Sequence, residues 1–166
     1  MDKYTTMVSP RLFLTPVARE EANKHFKYTV LNSNKPIWGI SEGVKSQWEK
    51  AQEGDVLLFY TGDFEYTYGS NVKKTEISRQ YANEIYEEYK GDTGIKETRG
   101  GGGPWPYLIY LSDAFEIEIS SKELHRYADH GIDYPMKFMA LNDGGHRKIR
   151  SQFGGVAEYL NERRIY

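Results

Sequence analysis

The chain has 166 residues, 39% of them hydrophobic and 28% charged, with a net charge of −2. That length fits one domain with a real core, and the near-neutral charge excludes a protein that grips long duplex through phosphates alone, which would be basic. With no cysteine there is neither a disulfide frame nor thiolate chemistry, as suits the cytoplasm, whereas 14 Tyr, 7 Phe and 3 Trp are conspicuous.

Residues 1–9 read as a flexible leader without a signal peptide's apolar segment, and 10–166 as a single domain. No apolar run is long enough for a membrane span. Arg11 to Thr15 is a short strand stopped by Pro16. Arg19 to Phe26 is a helix with Ala22 and Phe26 on one face, and Asn32 to Pro36 is a turn. Ile37 to Ile40 is a second strand. Val44, Trp48 and Ala51 then follow at helical spacing, ending before Gly54. Asp55 to Tyr60 is the clearest buried strand, a continuous apolar run. After the tight connection Thr61-Gly62-Asp63, the residues Phe64, Tyr66 and Tyr68 alternate with polar ones, a strand returning as a hairpin.

Ile77, Tyr81, Ile85 and Tyr89 form the apolar stripe of a Glu-rich helix. Gly91 to Gly103 is a loop whose glycine run, Gly100 to Gly103, lacks the spacing and following helix of a phosphate-binding loop. Trp105 to Leu111 is a strand, and Phe115, Ile117 and Ile119 mark a half-buried one. Ser120 and Glu123 form a capping box for a helix to about Ala128. Lys137 to Leu141 is a last short strand, His146 to Gln152 one or two helical turns, and Val156 to Arg163 a helix burying Val156, Tyr159 and Leu160. The fold class is therefore α+β: a small twisted, mostly antiparallel β-barrel of five to seven strands flanked by short helices.

Catalytic patterns are absent from the sequence. His125 and His130 are five apart, which does not place them on one helical face for a metal. Glu116 and Glu118 alternate with apolar residues and face solvent, and the nearest lysine, Lys122, lies beyond their strand. No nucleophile elbow occurs. Neither a metal nor a cofactor is expected, and no catalysis of the chain's own.

Three segments in order carry a resemblance: Ile37-Trp38-Gly39-Ile40-Ser41, Gly54-Asp55-Val56-Leu57-Leu58-Phe59-Tyr60 and Trp105-Pro106-Tyr107-Leu108-Ile109-Tyr110. Leu141, Ile149 and Phe153-Gly154-Gly155 before the last helix extend it. From about Arg11 onward the chain resembles the EVE family of the PUA superfamily, related to YTH domains and to the N-terminal DNA-reading domains of McrB-type restriction enzymes. The resemblance implies a reader that holds one modified base in an aromatic cage, flipped from its stack when the target is duplex.

By motif position the cage would use Trp38, with Gly39 admitting the base to the backbone and Ser41 at its edge. Tyr60 and Phe64 would form a second wall, Asp63 would accept from an exocyclic amine, Trp105 would be a further wall and Asn23 an edge reader. Lys73, Lys74, Arg147, Lys148 and Arg150 would touch phosphates. Asn32 and Asn34 lie too close to Trp38 for the YTH pattern, which counts against N6-methyladenine. The implied partner is nucleic acid, modified DNA ahead of RNA, alongside a separate nuclease or methyltransferase and with no membrane. The alternatives are an RNA-binding or RNA-processing factor on the same scaffold, and a protein-interaction module using the Tyr81 to Tyr89 helix.

Overall fold

A computed structural model describes residues 10–93 and 105–165, with side chains undescribed from 89 to 93. The leader and the Gly100–Gly103 run lie outside the described residues. The continuous apolar run becomes β3 (Val56–Gly62), at the centre of the sheet. It pairs in parallel with β1 (Leu12–Pro16), Phe13 opposite Leu57, and antiparallel with β4 (Glu65–Ile77). Only Asp63 and Phe64 lie between β3 and β4, at φ 55° and 59°, the left-handed conformation of a two-residue hairpin turn.

The 13 residues of β4 serve both halves of the sheet. Its first half lies between β3 and β6 (Phe115–Ser120), and its second half pairs with β5 (Tyr107–Leu111). β5 in turn pairs with β2 (Ile37–Ile40), and β1 with the two-residue β7 (Met139–Ala140). The order is β2-β5-β4-β3-β1-β7 with β6 beside β4, and only β1–β3 is parallel. The sheet curls into a half-barrel, as the α+β reading expected.

Strand alternation separates two cores. Phe13, Trp38, Ile40, Leu57, Phe59, Val72, Ile109 and Leu111 face the interior. There they meet Phe26 of α1 (Glu20–Phe26), Val30 of the π-helical turn that follows (Lys27–Leu31), and Trp48 of α2 (Lys45–Trp48). Leu12, Leu14, Leu58, Tyr66, Ile117 and Ile119 face outward, beneath α4 (Ser121–Tyr127), α5 (Asp143–Phe153) and α6 (Val156–Arg163). The helix α3 (Arg79–Thr93) lays Tyr81, Ala82 and Ile85 over the outer face of β2 and β5.

Four local expectations are corrected. Ile77 ends β4 and is 59% exposed, so the stripe of α3 does not include it. The hairpin register jumps: Phe59 pairs with Tyr68 but Tyr60 with Tyr66, so a bulge at Thr67 sends Tyr66 outward and leaves Tyr68 inward. The helix after β2 is shorter than expected, a 3-10 turn at Glu42–Val44 followed by α2, with Ala51 buried beyond it. Helix α5 runs three turns, because the Asn142 side chain accepts from the Gly145 N–H at 2.8 Å and Gly154 closes the far end at φ 96°. The capping box is formed as expected, Ser120 accepting from the Glu123 N–H at 3.2 Å.

Candidate functional site

Trp38 points into the half-barrel and is 7% exposed. Its indole meets Phe59 edge-on at 5.6 Å and Phe26 at 6.4 Å, and Phe26 also packs on Tyr68 at 5.6 Å. Phe26 and Phe59, its ring partners, and Tyr68 behind Phe26 come from three separate elements, so no local motif marks them. Gly39, next on β2, faces the other side of the strand. A Cβ there would lie 3.2 Å from the Trp105 carbonyl oxygen and 3.5 Å from its Cβ. The missing side chain at Gly39 therefore makes room for Trp105. Trp105 keeps 38% of its surface exposed, whereas Trp48 is core, its indole N–H donating to the Leu108 carbonyl at 3.2 Å. Half-buried Ser41 ends this segment, and beyond it Glu42 accepts from the Tyr107 hydroxyl, pushing that hydroxyl's pKa up.

Tyr60 lies on the outer face, away from Trp38. Its hydroxyl accepts from the Phe64 N–H at 3.1 Å, and its ring lies parallel to Tyr134 at 6.2 Å. Phe64 meets the same Tyr134 edge-on and carries the Lys122 ammonium 4.2 Å above its ring. Asp63 is exposed in the turn beside them. On α1, the Asn23 amide donates to the Val17 carbonyl at 3.3 Å and so ties the helix to the end of β1. The expected cage residues thus occupy four places: Trp38 inside, Gly39 with Trp105 and Ser41 at the β2 edge, Tyr60, Asp63 and Phe64 at the hairpin, and Asn23 on α1.

The expected phosphate contacts are all exposed. Lys73 and Lys74 stand on β4, Lys74 lying 4.6 Å over Tyr110, whose hydroxyl donates to Glu76 at 2.6 Å. Arg147, Lys148 and Arg150 stand on α5. A groove of about 570 Å³ runs between α2 and the β7–α5 junction. Arg11, Lys50 and Lys137 line it, cations too far apart in sequence to be read as a cluster.

The outer core holds a buried polar chain. His125 Nε2 lies 2.6 Å from the Tyr66 hydroxyl, and His125 Nδ1 lies 3.1 Å from His130 Nδ1. Burial, then the neighbouring His130, pushes His125 down to about 4, and burial pushes the Tyr66 hydroxyl up. His146 has a different task. Its Nε2 accepts from the Leu12 N–H at 3.0 Å, so Nδ1 carries the proton and donates to the Asn142 carbonyl at 3.0 Å. Burial lowers its pKa too. Among the described residues no group of three His, Asp or Glu could hold a metal ion, and no helix is long and apolar enough to cross a membrane.

No protein-family model matches the chain, and no curated protein matches it. Solved structures do. The N-terminal domain of Thermococcus gammatolerans McrB, bound to m5C DNA, aligns with a TM-score of 0.57 at 13% identity, over 85% of this chain and 95% of that one. ASCH from Zymomonas mobilis aligns at 0.52 and 11% identity, over 85% and 94%. A mutant of the same ASCH protein gives 0.53 at 11% identity, over 87% and 98%. At such identities the likeness establishes fold: the chain is a PUA-like half-barrel of the kind the McrB N-terminal domain carries.

Proposed function

We propose that the protein is a nucleic-acid reader that binds a modified base, in DNA ahead of RNA, and leaves any chemistry to a separate nuclease or methyltransferase. The observation that carries this reading is the fold shared with a domain bound to m5C DNA. The base stacks on Trp105, whose 38% exposure distinguishes it from the core residues Trp38 and Trp48. Ser41, at the end of the adjoining strand, meets the base edge. Trp38 braces β2 from inside through Phe26 and Phe59. Tyr60, Phe64 and Tyr134 offer a second aromatic surface, for a neighbouring base, with Asp63 beside it. Lys73, Lys74, Arg147, Lys148 and Arg150 supply backbone contacts.

One stacked base contributes about 1–3 kcal/mol, so Trp105→Ala weakens binding roughly 5- to 150-fold. A buried methyl adds about 0.8 kcal/mol, a preference of roughly fourfold before any edge hydrogen bond. Fluorescence anisotropy with labelled oligonucleotides carrying 5-methylcytosine, N6-methyladenine or no modification tests this. A preference for one modified strand that Trp105→Ala removes is the expected result. Equal affinity for all three strands would overturn the reading, and a stable protein partner without nucleic-acid binding would replace it with an interaction module.

A further inference from the structure

The groove between α2 and the β7–α5 junction gathers charge without balancing it. Arg11 precedes β1, Lys50 follows α2 and Lys137 precedes β7, yet all three line the same 570 Å³ space. None of the three makes an ion pair among the described residues. The Arg11 guanidinium is positioned by donating to the Lys50 carbonyl at 3.1 Å, which brings the two basic residues together. One carboxylate, Asp143, lines the space with them. In a protein whose net charge is −2, three cations facing one concavity mark a local positive field. An anion entering it relieves their mutual repulsion.

The rest of the lining specifies the kind of anion. Val44, Met139 and Leu141 give the groove an apolar part. The Gln47 oxygen accepts from the Ala140 N–H at 3.0 Å, which leaves the amide's N–H donors for a guest. Cations, amide donors and apolar surface together match a phosphate attached to a sugar. The volume falls in the range of sites for nucleotide-sized ligands, about 300–1,000 Å³. The position connects it to the proposed reading site: Gly43 and Val44 line the groove and lie two and three residues beyond Ser41.

We propose that Arg11, Lys50 and Lys137 form a phosphate-binding groove for the sugar–phosphate backbone of a single nucleic-acid strand, adjoining the base held at Trp105. This deepens the reading above and rests on it for the identity of the strand. It also answers how a near-neutral protein holds a polyanion, by turning three cations that make no ion pair among the described residues into one groove, in addition to the exposed cations of β4 and α5.

The test compares the whole chain with its Lys50→Gln/Lys137→Gln double variant, using an unmodified single-stranded oligonucleotide across a salt series. Arg11 is left in place because its guanidinium also holds the Lys50 carbonyl at 3.1 Å, a structural contact that a substitution would remove along with the charge. Each phosphate contact on a single strand contributes about 0.7 to the slope of log affinity against log salt, so the double variant's slope should be shallower by about 1.4. Between about 50 and about 200 mM salt, the affinity gap between the two proteins then narrows about sevenfold. An unchanged slope in a variant with unchanged thermal melting overturns the proposal.

A second arm titrates ADP alone. No ADP binding, with the slope shallower as above, supports a backbone site. ADP binding lost in the variant while the oligonucleotide slope stays unchanged overturns the backbone assignment in favour of a free nucleotide. The two readings fail separately. Equal affinity for modified and unmodified strands refutes base reading, and the salt slope still reports on the groove.

Discussion

Acid exposes the buried histidine chain to a direct test. His125 is 1% exposed, hydrogen-bonded to the Tyr66 hydroxyl, and held at about 4 against an ordinary value of 6.5. Its folded-state pKa is therefore depressed, and the unfolded chain binds a proton first as the pH falls. The stability that neutral His125 contributes is fully present above pH 6.5 and is lost as the pH falls towards 4. At 1.36 kcal/mol per pKa unit this amounts to about 3 kcal/mol, a substantial part of a typical domain's stability. Equilibrium unfolding in guanidinium between about pH 7.5 and about pH 4, on wild type and His125→Gln, measures it. Carboxylates and His146 titrate in both proteins, so the difference between the two curves isolates His125 and its coupling to His130. Wild type should lose about 3 kcal/mol more than the variant across that window. Parallel curves would refute the reasoning, because they would mean that His125 takes up its proton without penalty in the fold.

Three substitutions address the scaffold. Trp38→Ala empties the space beside Phe26 and Phe59 and should cost about 3–5 kcal/mol, read as a lowered guanidinium midpoint. Gly69→Ala places a Cβ 2.7 Å from Phe115 Cε2 and 3.2 Å from Leu58 Cδ2. The overpacking should cost about 1–3 kcal/mol and lower the melting temperature. Ser120→Ala removes the cap on α4 and should cost about 0.5–2 kcal/mol in equilibrium unfolding, with Ser120→Asp restoring most of it.

Local signals are legible in the sequence. The apolar run of β3, the capping box at Ser120 and the buried face of α6 each depend on neighbouring residues, and each appears as expected. Pairing over distance was less legible. The parallel register of β1 on β3 joins residues 44 apart, as Leu12 opposite Val56 shows, and no local pattern encodes it. The bulge at Thr67 cannot be seen in an alternating pattern, yet it decides which tyrosine faces which core. The same limit governed the site. Trp38 and Tyr60 are both aromatic residues on β-strands, but strand parity sends one inward and the other outward. Tyr134 and the groove cations come from segments with no motif, so only the folded chain brings them to their partners.

The strand order ends in β2 on one side and β7 on the other. A sheet that stops short of closure keeps free edges, which in a soluble protein invite pairing with another chain. Here the β7 edge is only two residues long, and the Gln47 side chain covers its Ala140 N–H; the β2 edge is four residues long and contains a glycine. Both are poor templates for an added strand. The barrel is thus left incomplete without leaving a long exposed edge for another chain to extend, and at the β7 end it is the Gln47 side chain that takes the hydrogen bond a neighbouring strand would otherwise make.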